Sequence, residues 1–161
     1  MELYPWIVIG HVFFVILAFG AHGVSAFTAF RVKASADRAE LRTLLDLSAM
    51  SLTVAGVGLL IAILFGIWAA IAGGHFARLW PWVAIGVVIV ITGAMTPLAA
   101  GPMRATRVAL GIGKDRSGAP LPPGTDAEVA TAKSRLRPEA TLVVGIMGLA
   151  LLVWLMEGKP F

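Results

Sequence analysis

WIVIGHVFFVILAFGAHGVSAFTAF, Trp6 to Phe30, contains no Asp, Glu, Lys or Arg. Crossing the hydrocarbon core of a bilayer takes about 20 such residues in a helix, so this run is long enough to span. His11 and His22 interrupt it. Eleven residues apart, they return to nearly one helical face, about 16 Å from each other along the axis. Val15, Ala18, Ser25, Ala26 and Ala29 continue that stripe, while Phe13, Ile16, Gly20, Val24 and Phe27 fall opposite. In lipid the pattern predicts the small, polar stripe against protein and the bulky face against acyl chains.

Three more apolar blocks follow: Leu47–Gly73, Trp80–Ala100 and Ala140–Met156. With 58% hydrophobic and only 14% charged residues, the chain is too apolar for an ordinary soluble domain. The expected fold is all-α: a single four-helix transmembrane bundle, up-down-up-down, with helices at about 6–30, 47–73, 80–100 and 140–156. Residues 31–46 and 101–139 are then the two loops on one side.

The net charge of +4 reflects topology rather than affinity for nucleic acid. Of thirteen Lys and Arg, only Arg78 and Lys159 lie outside those two loops. Such asymmetry puts the basic loops in the cytoplasm and both termini outside. Met1–Pro5 is uncharged apart from Glu2, so no cleavable signal peptide is expected. With no cysteine, disulfides, thiolate chemistry and Cys-ligated metals drop out.

Local signals refine the outline. Asp37 with Glu40 reads as a capping box starting the second helix near Arg38, and Thr125 with Glu128 as another. Gly73-Gly74 ends the second helix, Pro81 suits the first turn of the third, and Pro97 and Pro102 bend or interrupt its far end. KDRSGAPLPPG, Lys114 to Gly124, is read as a mobile loop. Asp46 is expected to pair with Arg31 or Arg42. Gly56, Gly58, Gly93, Gly145 and Gly148 are expected to allow close helix approach.

HGVSAFTAFR (His22–Arg31), LRTLLDLS (Leu41–Ser48) and the ending LVVWLMEGKPF together resemble a family of small, uncharacterised four-helix bacterial integral membrane proteins. More loosely they are similar to families near copper-resistance membrane domains. The resemblance implies a bacterial cytoplasmic (inner) membrane and no particular activity.

The chain carries no paired carboxylates, no nucleophile with a base and no phosphate-binding loop, so no catalytic residue is assigned. The first functional reading is a non-catalytic accessory or structural subunit, with the bilayer and other membrane subunits, or further copies of itself, as partners. The second is a b-type haem or quinone-binding electron-transfer protein. A bis-His haem needs two imidazoles at one depth, and His11 with His75 is the depth-matched pair. Trp68 completes the wall of that pocket, since all five tryptophans map to the outer half. His22 is a further, inner candidate ligand. A third reading is metal or small-solute transport along the His11–His22 stripe, against which stands the lack of any carboxylate near the bilayer centre.

Orientation is directly testable. Single cysteines placed at Ser117 and Phe161 label from opposite sides of intact spheroplasts, Phe161 from outside. Equal labelling, or the reverse order, overturns the charge argument.

Overall fold

The computed structural model describes residues 3–160; Phe161, the outer labelling position, lies outside them. The described chain is helical, without named strands. α1 spans Tyr4–Ala34 and α2 Arg38–Ala72, and a 3₁₀ turn at His75–Ala77 leads to α3, Trp80–Met95. A π-helical turn, Thr96–Ala100, joins α3 to α4, Gly101–Ala109; α5 is Asp126–Ser134 and α6 Pro138–Gly158. Four helical stretches are long and apolar enough to cross a membrane. The four-helix bundle expected from the apolar blocks is therefore present, with each helical run extending past its block at one end or both.

α1 and α2 form a tightly packed antiparallel hairpin. A methyl added to Gly58 would lie 3.4 Å from the Ala18 Cα. Seven residues further along α1, the hydroxyls of Ser25 and Ser48 meet at 2.8 Å in a buried hydrogen bond. The stripe face is the one that packs: Ala18, Ser25, Ala26 and Ala29 are buried, whereas Phe13, Ile16 and Phe27 are at least 59% exposed. α3 pairs instead with α6, through Ala84, Leu152 and Leu155 with Val83, Val87, Val88 and Ile91 around them. Any side chain on Gly148 would collide with Ile91, and a methyl on Gly145 would come 3.4 Å from His22 Nε2. Gly56 and Gly93, by contrast, have nothing within 4 Å of a Cβ and face outward, so they serve no contact within this chain.

The segments read as basic loops are largely folded. Ala29, Val32, Leu41, Leu45, Met103, Leu110, Val129 and Leu136 build a small apolar core there. α2 starts at Arg38 as expected, with the Asp37 side chain accepting from Ala39 N–H at 2.9 Å. The capping box does not close, because Glu40 turns to Arg31 (2.6 Å) and to the Ser35 hydroxyl. The box at Thr125 and Glu128 is complete. Asp46 pairs with neither Arg31 nor Arg42. Arg107 takes it at 2.9 Å, while Arg42 donates to the Leu110 carbonyl. Arg107 comes from a helix that the expected loop boundary at residue 101 did not include.

Lys114–Gly124 folds back on itself as a small hairpin, with an isolated bridge between Lys114 and Pro120. Asp115 accepts from Ser117 N–H, the Ser117 hydroxyl and Ala119 N–H. Arg38 clamps the far end, donating to the Gly124 carbonyl at 2.8 Å and to Asp126 at 2.6 Å. Gly111 and Gly113 make the turn into it at φ 71° and 136°, where side-chain-bearing residues are strained.

Pro97 explains the π turn. Proline has no N–H and crowds the carbonyl four residues back. The backbone widens, and Gly101 N–H reaches the Thr96 carbonyl five residues away. The helix is interrupted in pitch, as the prolines lead one to expect, and α4 carries on to Ala109.

Ala18→Leu forces two backbones apart and should cost about 1–3 kcal/mol, lowering the melting temperature in detergent. Leu17→Ala, on the lipid-facing side, should change it little. The reverse ranking would mean that α1 is rotated from this packing.

Candidate functional site

A cavity of about 440 Å³ opens at the end of the bundle opposite the basic core. It exists because α2 and α3, although joined by a short turn, pack on different partners and leave space between them. Its walls are mostly aliphatic, from Val8 and Val12, Ile63, Ile67 and Ala70, and Ala84, Ile85 and Val88. The polar groups are few: Tyr4, His11, His75, Glu157, Lys159 and the indole of Trp80. An apolar hollow with a handful of convergent polar groups is the usual form of a small-molecule site.

His11 is held in one tautomer. Its Nδ1 lies 2.7 Å from the Ala62 carbonyl, which can only accept, so Nδ1 carries the hydrogen. Nε2 is left as an acceptor with no hydrogen-bond partner among the described residues. Gly66 makes the approach feasible, since a methyl there would sit 2.9 Å from the ring. Seven residues before His11, on the same face, Tyr4 places its hydroxyl 3.1 Å from His75 Nε2. The two rings meet edge to face at 6.5 Å, and Trp80 lies 5.5 Å from His75 on another side.

The glycines before His75 let it fold inward. Gly74 adopts φ 65°, and a Cβ on Gly73 would come within 2.5 Å of His75 Nε2. Burial, with lesser contributions from Lys159 and Arg78, holds the His75 imidazole below its ordinary value. It is therefore neutral near pH 7. The Tyr4 O–H can donate to it.

The expected pair, His11 and His75, thus lines one cavity. Trp68 does not join them: it is 47% exposed and leans on Phe65 at 6.1 Å, facing out of the bundle. The tryptophan at the site is Trp80, which is buried with an unpartnered Nε1. His22 is also elsewhere, deeper along α1 beside Gly145, its buried Nε2 without a partner. Among the described residues no three His, Cys, Asp or Glu gather as a metal site.

Comparison with protein-family models, curated proteins and solved structures finds no match.

Tyr4, Glu157 and Lys159 were not read from the sequence as site residues. The heptad spacing of Tyr4 and His11 was the available signal for the first. The other two follow α6's last apolar turn and reach the cavity only through the bundle's closure.

The sign of the pH effect follows from His75. A histidine whose folded value is depressed contributes stability that is full above its unfolded value, about 6.5. That contribution is lost as pH falls through the lower folded value. Melting temperature should therefore drop on acidification below about pH 6.5, and His75→Gln should flatten that part of the profile. An unchanged slope would show that His75 carries none of it.

Proposed function

We propose that this chain is a multi-pass protein of a bacterial cytoplasmic membrane, both termini on the outer face, that binds a lipid-soluble ligand of the quinone class in the His11 cavity. The Lys and Arg asymmetry supports the orientation. The observation that carries the ligand is the tautomer of His11. Its Nδ1–H is fixed on Ala62, which leaves Nε2 as an acceptor without a partner among the described residues, in a hollow with mostly aliphatic walls.

A ring hydroxyl of a quinol donates to such a nitrogen. The oxygen of the second ring hydroxyl, on the other side of the head, accepts from Tyr4, whose O–H can turn from His75 to the ligand. The aliphatic walls suit the ring and the start of an isoprenoid tail. Binding of this kind is orientation by two hydrogen bonds and burial of the rest, with no side-chain chemistry required.

Haem b is the second reading, favoured by one feature. A histidine ligand ordinarily donates its other ring N–H to a carbonyl, as His11 does to Ala62. The opposing geometry is less suited: an iron between the two rings needs a lone pair on each, and His75 Nε2 is engaged by Tyr4.

The test is titration of purified protein in nanodiscs with a short-chain ubiquinone or menaquinone and the corresponding quinol. Quenching of tryptophan emission, to which Trp80 contributes, gives the binding curve. His11→Ala should weaken quinol binding by about threefold to tenfold, the worth of one hydrogen bond, and His22→Ala should leave it unchanged. A Soret band that disappears in His11→Ala would replace the quinone with haem. Neither binding nor colour would leave the accessory-subunit reading.

A further inference from the structure

α3 and α6 do not close against each other on their outward side. A shallow groove of about 740 Å³ runs between them, walled by Val87, Val90 and Ile91 on α3 and Val144, Met147 and Leu151 on α6. No polar side chain lines it. Arg137, Val144 and Leu151 follow at intervals of seven, so Arg137 stands at the foot of the α6 wall. On α3 the antiparallel register sets Ile91 on Gly148 and the Met95 methyl beside Gly145. Continued by the same count through the π turn, it brings Arg104 to the height of residues 135–136, next to Arg137.

Arg104, Arg135 and Arg137 are exposed, and none forms an ion pair among the described residues. The carboxylates at this end are already committed. Glu40 holds Arg31, Asp46 holds Arg107, Asp126 holds Arg38 and Glu139 holds Lys33. Asp37, Asp115 and Glu128 accept from backbone N–H groups at helix starts and in the hairpin. Positive charge is thus left unbalanced where the groove reaches the membrane surface.

We infer that this face binds one anionic phospholipid from the leaflet at the basic end, its phosphate on Arg104 and Arg137 and one acyl chain in the α3–α6 groove. The distances agree. Half of the hydrocarbon thickness is about 15 Å, which is about ten residues of helix, the span from Arg137 to Met147. Charge decides the headgroup. A zwitterionic lipid brings its own cation toward three guanidinium groups that have no ion-pair partner among the described residues, whereas an anionic one brings only the opposite charge.

The experiment is native mass spectrometry of the full chain with phosphatidylglycerol and phosphatidylcholine of identical acyl chains, with melting temperature as a second readout. Wild type should retain phosphatidylglycerol preferentially and gain stability from it. Arg104→Gln with Arg137→Gln should lose the preference, about fivefold per arginine. Lys114→Gln with Arg116→Gln, in the hairpin, should keep it. Met147→Trp, which fills the groove from an exposed position, should lower phosphatidylglycerol retention with the arginines intact. Equal retention of the two lipids by wild type overturns the site. So does a loss in the hairpin variant as large as in the arginine pair, since the attraction is then diffuse.

Discussion

Helices in a bilayer have no hydrophobic reason to associate, because lipid tails are as apolar as leucine. Contact must come from close backbone approach and from the few polar groups that find each other. The α1–α2 hairpin uses both. Ala18 on Gly58 brings the axes together, and the Ser25–Ser48 bond and the His11–Ala62 bond tie them on either side of that point. Where small residues end, so does the contact. The cavity and the outer groove lie outside that hairpin seam, along α3 and its neighbours.

That constraint explains what could be read in advance. The four spans, the packing face of α1 and the turn at Gly73-Gly74 each depend on local pattern, and local pattern was sufficient. The partners of charged residues were not legible. Asp46 had Arg31 and Arg42 nearby in the chain, yet Arg107 reached it from another helix, because the π turn carries α4 onto the basic core. The hairpin at Lys114–Gly124 has no periodicity to detect. Its order comes from one aspartate accepting three hydrogen bonds and from an arginine eighty-six residues away.

The candidate site was half visible. His11 and His75 could be matched by depth along straight helices, which is a one-dimensional argument. Choosing among tryptophans needed the rotation of each helix, and Trp68 and Trp80 differ in that alone. Trp68 leans on Phe65 and stays half exposed outside the cavity, and Trp80 faces the turn that brings His75 inward. A belt of aromatic residues at one interface hides such a distinction, since membership depends on height and function depends on azimuth.

The π turn has a consequence beyond its own five residues. One additional residue in the helix advances every later side chain by about 100°. α3 lies in lipid against α6, while α4 must present Met103, Thr106 and Leu110 to a core wetted from outside. The turn is where one helical run changes phase between two surroundings, exchanging which side is buried. Deleting one residue from Thr96–Ala100 would leave both helices intact and point the second at the wrong neighbour. The membrane part and the basic end are thereby joined in a fixed rotational phase, set by the five residues around Pro97.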